Sequence, residues 1–198
     1  DAAISATGAE KPGGGGSEPD TVDYKVEIVK VDQSTPLEGV TVQLVDAANN
    51  NEILNTGTTG SNGIYTFRDI VVDSTITYAA KASLDDPPLQ GVSTYDIVLI
   101  QRVLLSLDPI GTAFRERCMD VNGDGDLSAL DILQVRKLIL GIYDLFPGGE
   151  PWIFVGQDSP SSLEELPLLF PDPGEINQSE VTIYGIKRGD VSGNINPF

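Results

Sequence analysis

The chain has 198 residues, which is enough for one medium-sized domain or two small ones. It carries 30 acidic and 12 basic residues, so its formal net charge is −18 and it has too little positive charge to bind a nucleic acid. The chain has no histidine and a single cysteine, Cys118, which excludes Ser-His and Cys-His nucleophiles, His- or Cys-ligated zinc and an intrachain disulfide. The acidic composition instead favours a hard cation bound by carboxylates, and no run of about 18 apolar residues predicts a membrane span.

The first segment, residues 1–22, is predicted to be an extended linker because residues 12–19 (PGGGGSEP) are rich in glycine and proline. The alternative is a strand that this segment donates to a neighbouring subunit. The start of the chain (DAAISAT) is typical of the mature end that remains after signal-peptide cleavage, so we expect a secreted, extracellular or cell-surface protein.

Apolar residues alternate with polar ones from Tyr24 onward, which predicts strands in residues 24–31, 40–44, 64–67 and 75–81. A turn at Ser61-Asn62-Gly63 precedes the third of these strands. Short strands at this spacing predict an antiparallel β-sandwich over residues 23–84.

Two runs in this half also resemble a known family. Residues 29–44 (VKVDQSTPLEGVTVQL) and 62–67 (NGIYTF) are similar to the B-type repeats of bacterial surface adhesins, and the resemblance covers residues 24–83. It implies a β-sandwich that serves as a stalk or spacer.

The strongest motif of the chain is residues 120–131 (DVNGDGDLSALD). Calcium binds about six to eight oxygen atoms, and this loop offers them at the spacing of a calcium-binding loop. The predicted ligands of this first site are Asp120, Asn122, Asp124, Asp126 through its carbonyl, Ser128 and Asp131. An amphipathic helix is predicted over residues 132–142. The alternative is a polar surface turn that binds no metal.

A weaker copy of this unit lies upstream, because residues 93–107 align with residues 128–142 and conserve the spacing of Ser93 and Asp96. The front half of that copy is lost, since Pro87 and Leu89 stand at ligand positions. Residues 190–196 (DVSGNIN) repeat the pattern of residues 120–126 (DVNGDGD). We therefore expect a second, split calcium site, whose ligands would be Asp190, Ser192, Asn194, the carbonyl of Asn196, Asp96 and, through water, Ser93. The alternative is that residues 189–196 are an ordinary polar tail.

The position-12 residue of the loop, Asp131, is aspartate, as in the loops of dockerins. The segments GVSTYDIVLIQR, DVNGDGDLSALDILQVRKLILGIY, FPGGEPWIFV and IKRGDVSGN together resemble the dockerin-like C-terminal modules of secreted proteins of Bacteroidetes-type bacteria, over residues 91–198. This resemblance implies a non-catalytic, calcium-binding module. The predicted fold class is therefore α+β and multidomain, with a β-sandwich followed by a two-helix calcium module over residues 85–198 that has a small β insertion at residues 146–187.

Few residues suggest catalysis. The acidic pairs Asp85-Asp86 and Glu164-Glu165 could form a glycosidase dyad, but such pairs are expected by chance in so acidic a chain, and we predict that the protein is not an enzyme. Cys118 is either a reactive thiol or a buried apolar residue. Trp152 and Tyr184 either stack on a sugar or pack in the core.

Two functions remain open. The first is a self-assembling, calcium-stabilised structural subunit of a surface filament, tube or matrix, joined through residues 1–22. The second is a docking module that anchors a larger secreted protein to a receptor or to the cell surface, as dockerins bind cohesins through their helix faces. The expected partner is therefore another copy of the chain or another secreted or surface protein.

Overall fold

The fold is taken from a computed structural model, which describes residues 20–31, 35–159, 162–172 and 178–193. Within these residues the chain forms nine strands and three helices. In chain order they are β1 (Thr21–Lys30), β2 (Thr41–Asp46), β3 (Glu52–Thr58), β4 (Ile64–Val71), β5 (Tyr78–Ser83), α1 (Thr94–Leu104), α2 (Ala113–Met119), α3 (Ala129–Ile139), β6 (Trp152–Ser159), β7 (Ser162–Glu165), β8 (Leu168–Leu169) and β9 (Gln178–Lys187).

The described strands form two sheets, with the orders β4-β1-β9-β6-β7 and β3-β2-β5-β8. Strands β1 and β9 pair in parallel, from Asp23 opposite Gln178 to Lys30 opposite Gly185. The remaining pairs of named strands in these sheets are antiparallel. The first and last strands of the described chain are therefore neighbours at the centre of one sheet.

A single apolar core lies between the two sheets. Along β1 the buried side chains alternate with partly exposed ones, as expected for a strand with one face in the core. The inward residues of β1, β2 and β4 meet residues from the late strands in the same cluster, which contains Val22, Tyr24, Val26, Ile28, Leu37, Val40, Val42, Leu44, Phe67, Ala80, Trp152, Phe154, Leu168, Val181 and Ile183. Trp152 is thus a core residue, which confirms packing over sugar stacking for this side chain.

The α+β fold class is confirmed, with a β-sandwich before a helical region. The strands expected near β1, β2, β4 and β5 are present. The sequence also predicts short strands at residues 151–155 and 181–187 that could pair, and β6 does pair with β9. Strand β3 is not predicted by its polar sequence. Residues 163–170 are expected to form a loop or a helical turn, but they form β7 and β8, because Leu168 is buried beside β5 and pairs with Ala80.

The strands of residues 146–187 do not belong to the part of the fold that the sequence predicts. Instead of forming a separate β insertion of the calcium module, its strands complete both sheets of the sandwich. The expected domain boundaries at residues 23–84 and 85–198 remain a prediction, and strand pairing crosses them. The sandwich is also not purely antiparallel, because β9 lies parallel to β1.

The helices pack around a second core, separate from the one between the sheets. Its buried residues come from all three helices and from the segments that join or flank them, and are Val92, Ile97, Ile100, Val103, Met119, Val121, Val135, Leu138 and Phe146. Two of the helices, α1 and α3, match the predicted helices, each ending about three residues earlier than expected, where Ser106 and Gly141 adopt positive φ angles of 55° and 66°. The third, α2, is not predicted; Thr112 caps its N-terminus by accepting the Arg115 N–H.

Candidate metal centre

The loop at residues 120–131 joins α2 to α3 and is organised around the carboxylate of Asp120. This side chain is buried, and its two oxygens accept the N–H groups of Gly123 and Gly125 at 2.7 and 3.1 Å. The two glycines have φ angles of 73° and 87°, a region that residues with a Cβ rarely adopt. The glycines therefore let the backbone wind around the first predicted ligand.

The last predicted ligand, Asp131, closes the loop from the start of α3. It is fully buried, with one oxygen accepting the Val121 N–H at 3.1 Å and the other the Ser128 N–H at 2.9 Å. The Oγ atom of Ser128 accepts the Leu130 N–H, so this side chain is the N-cap of α3. Asp131 thus connects both ends of the loop to the first turn of α3.

The middle of the loop faces solvent. Asn122 Oδ1 accepts the Asp124 N–H at 3.0 Å, and Asp124 Oδ1 accepts the Asp126 N–H at 2.9 Å. Asp124 and Asp126 are exposed, whereas Asn122 is half-buried. In the described part of the chain, no group of three or more His, Cys, Asp or Glu side chains is gathered closely enough to hold a metal ion.

The chemistry of the donor set nevertheless fits calcium. Carboxylate, amide and carbonyl oxygens are the ligands that this ion prefers, and imidazole or thiolate ligands are not available in the loop. The side chains of Asp120, Asn122, Asp124 and Asp131, with the carbonyl of Asp126, would hold the ion. Ser128 is occupied as a helix cap, so its expected part in binding remains a prediction.

The structure also brings together the two separated parts of the expected second site. Asp96 lies in the first turn of α1 and accepts the N–H of the N-cap residue Ser93 at 2.8 Å, as Asp131 accepts the Ser128 N–H in α3. Its other oxygen accepts the N–H of Ser192 at 2.9 Å, and the Ser192 hydroxyl donates to Asp190 Oδ1 at 3.0 Å. The other two predicted ligands, Asn194 and Asn196, lie outside the described residues.

Contacts with α2 and with the start of the loop at residues 120–131 hold residues 188–193 in this position. The Arg188 guanidinium donates to the carbonyl of Asp120 at 3.1 Å, and the Gly189 N–H donates to the carbonyl of Cys118 at 2.9 Å. Burial lowers the pKa of Arg188, with a smaller lowering from Arg117. The sequence gives no signal for this role of Arg188, because its partners lie far away along the chain.

Cys118 is a buried residue beneath the first loop, and its thiol donates to the carbonyl of Lys187 at 3.1 Å. Burial raises the pKa of this thiol to about 12. A thiol reacts as its thiolate, so the structure confirms packing rather than reactivity.

A further feature of the module is a pair of matching apolar stripes along α1 and α3 and the residues just after each helix. Four exposed apolar residues of the first unit have exposed apolar counterparts 35 positions later, each between 44% and 72% exposed. The pairs are Tyr95 and Leu130, Val98 and Leu133, Leu105 and Leu140, and Leu107 and Ile142. We call these eight residues the paired apolar face. The 35-residue repeat predicts the pairing, but which apolar positions are exposed becomes clear only from the packing.

A groove of about 350 Å³ lies between α1 and α3 and reaches the paired apolar face at Val98 and Leu140. Its lining joins the start of α1, at Thr94 and Val98, to the end of α3, at Arg136 and Leu140. The two helices therefore run antiparallel, as two similar units related by an approximate two-fold axis would.

Comparison with known proteins agrees with this architecture. Residues 90–141 match the family model of the Dockerin type I domain, and residues 24–79 match that of the prealbumin-like fold domain. The recognition of a dockerin-like module after an adhesin-like β-sandwich is confirmed for these two segments. No curated protein was found to match the chain.

These matches indicate the kind of module that the two segments form. Dockerin type I domains bind calcium and mediate protein–protein interaction, so the chain carries a calcium-binding interaction and adhesion module. Domains of both kinds are non-catalytic and are typical of secreted or cell-surface proteins. Among the described helices, none is long and apolar enough to cross a membrane.

Proposed function

We propose that the chain is a calcium-stabilised docking module that binds a protein partner through the paired apolar face of α1 and α3. The observation that carries this proposal is the exposure of eight large apolar side chains at equivalent positions of the two helical units. Exposed large apolar side chains in such number on one module are typical of an interaction site. Because dockerins bind cohesins, the proposed partner is a secreted or surface protein with a cohesin-type domain.

Calcium has a clear role in this proposal. The N-terminus of α3 is held by Asp131, and the same carboxylate contacts the loop at Val121. An ion bound at residues 120–131 would neutralise carboxylates that otherwise repel each other in a chain of net charge −18. The position of α3, and with it half of the docking surface, would then depend on calcium.

The test is the binding of the full chain to a panel of purified cohesin domains, measured by biolayer interferometry in calcium. We expect Leu105→Asp and Leu140→Asp each to weaken binding, because each places a charge in one half of the surface. The double variant should lose about a hundredfold in affinity, or about 3 kcal/mol, as expected for loss of central interface residues. Chelation should abolish binding.

The matched control is Ile53→Asp, which adds the same charge at an exposed apolar residue of β3, outside the paired apolar face. It should bind like the unmodified chain. Unchanged binding by the double variant, or equal losses in the double variant and the control, would contradict the docking surface.

A second candidate function is self-assembly into a surface filament, tube or matrix. It is favoured by β3, which lies at the edge of its sheet among the described strands and has almost all of its residues exposed. An open edge can accept a strand from another copy. The expected donor, residues 1–22, lies almost entirely outside the described residues. Under this function, sedimentation velocity of the chain alone would show calcium-dependent polymers that Leu105→Asp/Leu140→Asp leaves intact.

A further inference from the structure

The C-terminal end of the described chain repeats the front of the calcium loop. Asp190, Val191 and Gly193 stand where the loop has Asp120, Val121 and Gly123, with serine in place of asparagine between them. The resemblance extends to the backbone, since Gly193 has a φ angle of 66° and Gly123 one of 73°.

The surroundings of residues 190–193 also match those of residues 120–123. The first-position aspartates are both buried, with 4% exposure for Asp120 and 5% for Asp190. The valines that follow them, Val121 and Val191, both pack on the core of the helical module. An ordinary polar tail would not be expected to match the loop in both respects, namely the burial of its first aspartate and the packing of the valine that follows.

The back of the site is supplied by the first helical unit. In the intact loop, Asp131 joins backbone N–H groups from the front of the loop to the N-cap of α3. Asp96 does the same across 96 residues, since it accepts the Ser192 N–H on one oxygen and the Ser93 N–H on the other. Both position-12 carboxylates are fully buried.

We propose that Asp190 and Ser192 combine with Asp96 to form a second calcium site, split between the C-terminal segment and the start of α1. Two carboxylates removed from water in one place carry a large desolvation cost, which a divalent cation offsets. Oxygen donors alone make up the set, which suits calcium rather than a transition metal.

The split site would connect the two halves of the molecule. Strand β9 ends at Lys187, three residues before Asp190, and lies at the centre of the first sheet next to β1. An ion shared by Asp190 and Asp96 would therefore fasten the end of β9 to the N-terminus of α1. This role does not depend on the docking surface, and either can fail without the other.

The experiment is native mass spectrometry of the full chain at saturating calcium. We expect two bound calcium ions, one after Asp190→Asn, one after Asp120→Asn and none after both substitutions. Asparagine keeps the shape of the side chain and removes its charge. The single ion that Asp190→Asn retains at residues 120–131 also shows that this variant is folded.

Asp144→Asn is the matched control, because it removes an exposed carboxylate from the loop after α3 and should leave two ions bound. The split site is wrong if the full chain binds one ion that Asp190→Asn retains. It is equally wrong if Asp190→Asn still binds two, since hydrogen bonds to backbone N–H groups would then suffice for the buried carboxylates.

Discussion

At the scale of single residues, the contact of most consequence outside the candidate metal sites is a buried ion pair. Lys187 Nζ donates to Asp86 Oδ2 at 2.7 Å and to the carbonyl of Pro87 at 2.8 Å. The indole N–H of Trp152 donates to the same Asp86 oxygen at 2.9 Å. Burial lowers the pKa of Lys187, and the contact with Asp86 opposes that change. Asp86 thus satisfies two buried donors from the sandwich.

The first prediction concerns this carboxylate. Asp86→Ala should lower the free energy of unfolding by about 3–5 kcal/mol, because it leaves the Lys187 ammonium buried without its counter-charge. The measurement is urea-induced unfolding of the full chain in calcium. Asp85→Ala is the control, since it removes an exposed carboxylate one residue away and should change stability by less than about 0.5 kcal/mol. Equal effects of the two substitutions would show that the ion pair contributes nothing.

The same contact shows what can be predicted from sequence at this scale. The six residues expected to form the first metal site are within 12 positions, so their spacing alone is enough to predict a calcium site. Asp86 and Lys187 are separated by 101 residues and have no local pattern, so only the tertiary fold pairs them. The partial motif at Asp190 is an intermediate case, because its likeness to the intact loop is visible while its partner is not local.

At the scale of elements, β1 lies between β4 and β9 in its sheet. The core between the sheets includes five residues that follow the helices in sequence, namely Trp152, Phe154, Leu168, Val181 and Ile183. Burial of a large apolar side chain contributes about 1.5–3 kcal/mol, so these five contribute on the order of 10 kcal/mol. The net stability of a domain is itself about 5–15 kcal/mol.

The second prediction follows from this comparison. A fragment of residues 20–84, which contains β1 to β5 alone, should not fold, because it loses the central strand β9 and a third of its core residues. The measurement is the dispersion of its amide resonances in a two-dimensional NMR spectrum, with the full chain as reference. A well-dispersed spectrum of the fragment would mean that the first half is an independent domain.

The alternation of apolar and polar residues predicts most of these strands, but it does not predict which strands pair with each other. The period of two in β1 and β9 indicates which face of each strand is buried, and it does so correctly. It contains no information on which strand lies alongside, and the parallel pairing of β1 with β9 joins strands about 150 residues apart. For the same reason, the strands of residues 152–187 appeared in the sequence as an insertion.

At the scale of the whole molecule, residues 188–193 connect three parts that are far apart in the sequence: the first sheet, the loop at residues 120–131 and α1. The segment leaves the centre of the first sheet, contacts the calcium loop through Arg188 and reaches α1 through Ser192. A ligand that binds only the folded state at 100 times its dissociation constant contributes about 2.7 kcal/mol of stability. Calcium should therefore stabilise the helical module and its attachment to the sandwich more than the sandwich itself.

Hydrogen–deuterium exchange of the full chain, compared in calcium and in chelator and resolved by mass spectrometry, tests this central claim most directly. The account predicts that chelation speeds amide exchange in α1, in residues 120–139 and in residues 188–193, while β2 and β5, at the centre of the second sheet, keep their protection. Exchange that is unchanged by chelation, or that rises equally in both sheets and in the helices, would contradict it.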